Sequence, residues 1–135
     1  MAVGWDIAMS VLLGTHVFVW LVTSDPELSG THRALFDKRD EPIYVSAVTG
    51  WEIAITVKLG KWAGAANLLP DLDGLVRRSG LQPLDLSFAQ AERAGSLELA
   101  HRDPFDRLLA AQAQDLDIPI ATVDAALALL GCKVV

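Results

Sequence analysis

Short apolar runs alternate with helix-forming stretches along almost the whole chain, and this alternation restricts the possible folds more than any other feature. The runs predict buried strands at residues 11–13, 43–45, 81–86 and 118–122. Such short strands, joined through helices, imply right-handed crossovers and a parallel sheet covered on both faces. The sequence therefore predicts an α/β fold, a three-layer α/β/α sandwich around a central, mostly parallel sheet.

Polar capping residues mark where the predicted helices begin. Ser29, Ser46 and Ser87 stand in N-cap positions, and Asp103 is an N-cap followed by Pro104 at the first helical position. The fourth helical stretch contains a proline at residue 70, which predicts that the helix begins there. The predicted helices cover residues 16–21, 30–38, 47–59, 68–79, 88–94, 104–115 and 125–130, and residues 133–135 are predicted to form a short edge strand.

Length and composition predict a single domain with a substantial core. The chain has 135 residues, of which 52% are hydrophobic and 21% charged, so disorder and low-complexity scaffolding are excluded. We expect the domain to cover residues 9–135. Residues 1–8 are expected to be an N-terminal extension or an alternative-start segment, with Met9 as the candidate alternative start.

We expect neither a membrane span nor a secretory signal in this sequence. No apolar run reaches the roughly 18 residues that a membrane span needs, and residues 1–10 carry Asp6 without a basic cluster. The single cysteine, Cys132, cannot form an intramolecular disulfide, which favours a reducing compartment. We therefore expect a cytoplasmic protein with no membrane contact.

The charge balance restricts how the chain could bind nucleic acid. With 11 basic and 17 acidic residues, the net charge is −6 at pH 7. A domain that binds nucleic acid mainly by counterion release carries a basic face, so this charge argues against that class. It does not exclude a nuclease, because metal-dependent phosphodiester hydrolysis needs clustered carboxylates.

Carboxylates recur at the predicted carboxyl edge of the sheet, where ligands of open parallel sheets bind. Glu52 follows the second strand without a basic residue three or four positions away, Asp103 and Asp106 begin the sixth helix, and Asp124 follows the fourth strand. Clustered carboxylates repel one another unless a cation or protonation compensates, and oxygen-only ligation favours Mg²⁺ or Mn²⁺ over zinc. Solvation is an equally open explanation for Glu52, whereas helix capping is the favoured explanation for Asp103 and for Asp124 when each is taken singly.

Two histidines lie near the same predicted edge. His16 and His101 are general-base candidates, although hydrogen-bonded packing is the simpler explanation for each. The tryptophans show no basic stacking pattern, so we predict that they pack in the core or in interfaces. They are Trp5, Trp20, Trp51 and Trp62.

Four sequence segments carry a family resemblance. They are LLGTH at 12–16, VSA at 45–47 with WEIA at 51–54, HRDPFDRLLA at 101–110 and IATVD at 120–124. Together they resemble the PIN-domain family, specifically the VapC-type toxin ribonucleases. The third segment is quite specific, and the others occur in the family's order and approximate spacing, so the resemblance covers nearly the whole chain from Met9 onward.

The resemblance implies an activity, partners and site residues. It implies a Mg²⁺- or Mn²⁺-dependent endoribonuclease that acts on RNA, forms a homodimer and is made with a VapB-type antitoxin that wraps and blocks it. It implies metal ligands at Glu52, Asp106 and Asp124, and a further catalytic acid at Asp103. Arg102 and Arg107 are candidates for contacts with RNA phosphates, or else exposed helix residues.

The chain departs from the family's pattern at Gly14, where family members have an aspartate that is a central metal ligand. Losing that carboxylate implies weaker metal binding and impaired hydrolysis. A change that tames a toxic enzyme and a natural binding protein both explain Gly14, and we favour the first because the other acids are present. Thr15 is expected beside the site, and Thr122 is expected to orient a ligand.

Two alternatives belong to other functional classes. The first is a catalytically inactive PIN-like module that binds an antitoxin or another protein through an apolar groove and titrates it from active relatives. The second is a phosphate-accepting, receiver-like domain. The second needs an acidic pair after the first strand, where this chain has Gly14 and Thr15.

Overall fold

The computed structural model describes residues 10–38, 40–98 and 103–135; the predicted extension at 1–8 lies outside them. The strands are β1 (Val11–Leu13), β2 (Ile43–Ser46), β3 (Gln82–Leu84) and β4 (Ile120–Ala121). The α-helices are α1 (Thr15–Val22), α2 (Gly30–Lys38), α3 (Ala47–Lys58), α4 (Leu72–Arg78), α5 (Phe88–Ser96) and α6 (Pro104–Leu116). Ala63–Leu68 and Ala125–Leu130 are 3₁₀ segments. No helix in the described ranges is long and apolar enough to cross a membrane.

The four strands form one sheet in the order β3-β2-β1-β4, and every pairing is parallel. The predicted α/β class and parallel sheet are therefore confirmed. The predicted edge strand at 133–135 is reduced to a parallel bridge between Val134 and Ile120. From β1 the chain winds outward through β2 to β3 and then returns to place β4 on the other side of β1. The strand order thus reverses between β1 and β4.

The core lies on both faces of this sheet because strand side chains alternate in direction. Val11 and Leu13 of β1 belong to one buried cluster, together with Phe18 of α1. Leu12, between them, belongs to the cluster on the opposite face, together with Leu109 of α6. Helices therefore cover both faces, as predicted for three layers.

Some predicted boundaries are wrong by a few residues. The fourth helix begins at Leu72 and not at residue 70, because Asp71 caps it by accepting a hydrogen bond from the Gly74 amide. The strand predicted at 81–86 is limited to the three residues of β3 at the sheet edge, where Pro83 is tolerated. Helix α5 extends to Ser96 rather than residue 94, and 125–130 is a 3₁₀ segment.

Candidate active site

The candidate site lies where the strand order reverses, at the carboxyl ends of β1 and β4. The register pairs Leu13 with Ala121, so the residues that follow the two strands are neighbours. The Gly14 amide donates a hydrogen bond to the Ala121 carbonyl oxygen at 2.8 Å. Open α/β sheets bind ligands at such a switch point because the adjacent loops diverge there and leave a crevice.

A cavity of about 130 Å³ occupies this crevice. Its polar lining combines carboxylates and hydroxyls from separate parts of the chain, and no lysine or arginine is among the described residues that line it. The carboxylates are those of Glu52, Asp103, Asp106 and Asp124. The structure therefore brings all four predicted acids around one cavity, and Gly14 lies in its wall.

Glu52 is the cavity acid that projects from α3. Its Oε1 accepts a hydrogen bond of 2.7 Å from the Thr15 hydroxyl, which lies 3.1 Å from the Thr49 hydroxyl. Burial raises the pKa of Glu52 above its usual value, the Thr15 hydrogen bond opposes this, and repulsion from Asp103 and Asp106 raises the pKa further. Thr15 thus lies beside the site as expected, and it orients the Glu52 carboxylate.

Asp103 and Asp106 come from the first turn of α6. Asp103 caps the helix, because its Oδ1 accepts hydrogen bonds from the amides of Phe105 at 2.9 Å and Asp106 at 3.4 Å. Asp106 lies above Ala110 and Ala113, which are fully buried, so it is held on the side of the helix that packs on the sheet. Capping and cavity lining are therefore compatible roles for this pair.

Asp124 reaches the cavity from the turn after β4. Its amide donates to the Thr122 hydroxyl at 3.0 Å, and its Oδ1 accepts from the Ala126 amide at 2.9 Å. These two bonds fix the turn that leads into the 3₁₀ segment Ala125–Leu130. Asp124 remains exposed, so its second oxygen can face a ligand in the cavity.

Gly14 permits a close approach between β1 and β4. A Cβ atom at this position would lie 2.9 Å from the Ala121 carbonyl oxygen and 3.5 Å from the Thr122 Cβ. The first distance is shorter than real Cβ contacts, and its partner is backbone, so any side chain at residue 14 requires the strand ends to separate slightly. The backbone angles of Gly14, φ −67° and ψ 159°, are open to any residue.

Comparison with known families decides the classification. The family described as PIN domain matches residues 11–131 of the chain. The chain belongs to the PIN-domain family. Comparison with curated protein sequences finds no significant match.

Solved structures share this PIN fold over almost their whole length. VapBC2 from Rickettsia felis, solved bound to a promoter DNA fragment, has a TM-score of 0.66 and 18% identity, with 94% of this chain and 98% of that chain covered. FitAcB from Neisseria gonorrhoeae has a TM-score of 0.60 and 22% identity, with 92% of this chain and 95% of that chain covered. Mycobacterium tuberculosis VapC20, a Sarcin-Ricin loop cleaving toxin, has a TM-score of 0.63 and 12% identity, with 90% of this chain and 95% of that chain covered.

PIN domains generally use divalent metal ions, and the cavity matches such an ion only in part. The donors match in kind, since all the acidic groups are hard oxygen ligands. The donors are not grouped closely enough, because no three Asp, Glu, His or Cys side chains within the described residues lie near enough together to hold one ion. The cavity as it stands is therefore not a complete cation site, and Gly14 in its wall contributes no donor.

Only one of the two arginines predicted to contact RNA phosphates lies within the described residues. Arg102 lies outside these residues, as does His101. Arg107 is only 8% exposed, and its guanidinium donates hydrogen bonds to the carbonyl oxygens of Leu97 at 2.6 Å and Glu98 at 2.8 Å. The prediction that Arg107 contacts RNA phosphates is corrected accordingly, because these carbonyls hold its charge inside the fold.

Sequence reasoning missed an aromatic group at the cavity. His16 lines the cavity and stacks on Trp62, with the two ring centroids 4.6 Å apart. The His16 ring also contacts the Trp20 ring, and those two centroids lie 5.7 Å apart. Trp62 and Trp20 were predicted to be packing residues, and both do pack against the core. The i, i+4 spacing of His16 and Trp20 on one helix was the signal for their contact.

Proposed function

We propose that this protein is the toxin component of a VapBC-type toxin–antitoxin pair, a metal-dependent endoribonuclease whose activity is impaired because Gly14 replaces a ligand. The observation that carries the proposal is the gathering of Glu52, Asp103, Asp106 and Asp124 around one cavity at the switch point. Several solved structures that share the fold are toxins or toxin–antitoxin complexes, which supports an antitoxin partner.

The residues present have roles that do not depend on a bound ion. Thr15 keeps the Glu52 carboxylate directed into the cavity, and the Asp103 cap anchors the start of α6 so that Asp106 stays at the cavity wall. Thr122 fixes the turn that presents Asp124. We assign Glu52, Asp106 and Asp124 to Mg²⁺ or Mn²⁺ binding that requires a further carboxylate at residue 14, and Asp103 to support of the site. We also propose a homodimer in the cytoplasm.

The experiment is restoration of the missing carboxylate by Gly14→Asp. A complete hard-cation site lowers the barrier to phosphodiester hydrolysis by several kcal/mol, so we expect Mn²⁺-dependent cleavage of a fluorophore–quencher RNA about a hundredfold or more above the unmodified protein. Cleavage should stop in EDTA. Adding Asp106→Asn to the same variant should also stop it, which excludes a contaminating nuclease.

Gly14→Asn is the matched control, because it has the same shape as aspartate without the charge. Both side chains separate the strand ends near the Ala121 carbonyl, so their difference isolates the carboxylate. If Gly14→Asp is folded by circular dichroism but cleaves no better than Gly14→Asn, the nuclease proposal is wrong.

The second candidate function is the inactive PIN-like module that binds an antitoxin. It is favoured by the lack of any three-ligand group among the described residues and by the closure of the backbone around Gly14. Failure of Gly14→Asp to gain activity, together with a stable complex with a co-expressed VapB-type antitoxin, is the result that this alternative requires.

A further inference from the structure

An aromatic stack borders the acidic cavity; we define it as His16, Trp20 and Trp62. His16 is exposed at the start of α1, whereas both tryptophans are half-buried and pack against the hydrophobic core. The His16 and Trp62 rings are nearly parallel, with an interplanar angle of 29°, and the Trp20 ring is tilted by 59°. The stack is thus anchored in the core and accessible at its histidine end.

The accessible end of the stack lies at the cavity itself. His16 is part of the cavity lining, next to Thr15, which holds the Glu52 carboxylate. A flat ring packed on the outer side of the stack would therefore lie directly beside the acidic groups. Stacking on aromatic side chains is tolerant of sequence, because every nucleobase has a π-face.

Unpaired positive charge lies next to the same stack in the chain. Lys61 immediately precedes Trp62, and Lys58 ends α3. Both are exposed, and neither makes an ion pair with any part of the chain that the structure describes. Other cations, such as Arg77 and Lys133, are already paired with aspartates. Aromatic rings with free lysines beside them are the combination that binds single-stranded nucleic acid.

We propose that the aromatic stack binds an unpaired base of an RNA chain and so positions the neighbouring phosphate at the acidic cavity. The inference rests on the proposed function, since it assigns a base-binding site to that cavity. A protein partner could also use exposed rings. The free lysines and the position at the cavity favour RNA.

The test is binding of a fluorescein-labelled oligouridylate to the intact protein in EDTA, measured by fluorescence anisotropy at low salt. Removing the stacking contact between the base and His16 should weaken binding by about tenfold, so we expect this loss in His16→Ala, and also in Trp62→Leu, which removes the ring that holds His16 in the stack. Trp62→Phe keeps an aromatic face and should retain most of the affinity. An abasic oligomer of the same length should bind the unmodified protein as weakly as the oligouridylate binds Trp62→Leu.

Trp51→Leu is the matched control, because Trp51 is 52% exposed but pairs with Phe105 and lies outside the stack. Its affinity for the oligomer should be unchanged. Equal affinities for Trp62→Leu, Trp51→Leu and the unmodified protein would overturn the stacking inference and leave the proposed function intact. Failure of the unmodified protein to bind the oligouridylate at all would also overturn the stacking inference, whereas the proposed function is decided separately by the Gly14→Asp cleavage assay. Unchanged RNA affinity with loss of the co-expressed antitoxin complex in Trp62→Leu would assign the stack to a protein partner instead.

Discussion

Glu52 is a half-buried carboxylate in a cavity that is lined by three other acids and, among the described residues, by no lysine or arginine. Its apolar helical neighbours made Glu52 stand out in the sequence, and the structure places its side chain in the cavity lining. Its hydrogen bond to Thr15 was not predictable, because it joins residues 37 positions apart. Arg107 shows the limit of residue-level reasoning, since a charge in the sequence does not reveal which carbonyls will surround it.

Glu52→Gln should stabilise the protein at neutral pH. The pKa of Glu52 is raised in the folded state, first by burial and then by Asp103 and Asp106, so folding favours the protonated form. The contribution of Glu52 to stability is therefore greatest when the pH is below the pKa of Glu52 in the unfolded chain. This contribution falls as the pH rises from there through the pKa of Glu52 in the folded protein. Glutamine removes this loss and keeps an oxygen that accepts from Thr15.

Urea unfolding between pH 4 and pH 8 measures the effect. The excess stability of Glu52→Gln should be small at about pH 4 and grow toward pH 7. Glu92→Gln, a change of an exposed glutamate on α5, is the control and should show little difference at any pH. A Glu52→Gln effect that does not vary with pH would contradict the electrostatic explanation.

At the level of elements, local signals in the sequence located most helices and strands. Ser46, Ser87 and Asp103 were predicted as N-caps, and each accepts a hydrogen bond from an amide of its own helix. Caps and periodicity are local properties, so sequence shows them directly. The buried Gln112, which accepts from the Ser46 hydroxyl at 2.5 Å and donates to Gln90 at 3.2 Å, was not predicted because its partners are distant in the chain.

Arg107 connects two elements, and its removal should destabilise the fold. Its guanidinium holds the C-terminal end of α5 and the following residues by donating to carbonyl oxygens at positions 95, 97 and 98. Charged hydrogen bonds contribute about 1.5–3 kcal/mol each to stability, so we expect Arg107→Met to lower the free energy of unfolding by about 2 kcal/mol or more.

Arg93→Met is the matched control for this prediction. Arg93 also donates one hydrogen bond, to Gln114 at 3.0 Å, but on the exposed surface, so its loss should cost about 0.5 kcal/mol or less. Chemical denaturation of both variants gives the comparison. Equal and small effects would contradict a structural role for Arg107 and reopen its assignment to RNA.

For the whole molecule, strand order determines where the chemistry can occur. The order β3-β2-β1-β4 makes the ends of β1 and β4 neighbours, and thereby brings Gly14 and Asp124 to one crevice. The sequence predicted the carboxyl edge of the sheet but not this order, because pairing between strands more than a hundred residues apart leaves no local signal. The small gap between Gly14 and the Ala121 carbonyl likewise depends on long-range packing.

The response of thermal stability to Mn²⁺ should distinguish a site that lacks one ligand from a surface that never binds ions. A ligand that binds only the folded state stabilises it by an amount that grows with the logarithm of the ligand concentration divided by Kd, about 2.7 kcal/mol at a concentration 100 times Kd. We expect Mn²⁺ to raise the Tm of Gly14→Asp by about 5 °C or more relative to EDTA, and that of the unmodified protein by about 1 °C or less.

In EDTA, Gly14→Asp should melt at a lower temperature than Gly14→Asn, because the added carboxylate joins Glu52, Asp103, Asp106 and Asp124 around the cavity. Equal stabilisation of the unmodified protein and Gly14→Asp would mean that Gly14 does not impair ion binding. Stabilisation of neither would mean that these acids do not form a cation site, and the antitoxin-binding module would then be the better account of the fold.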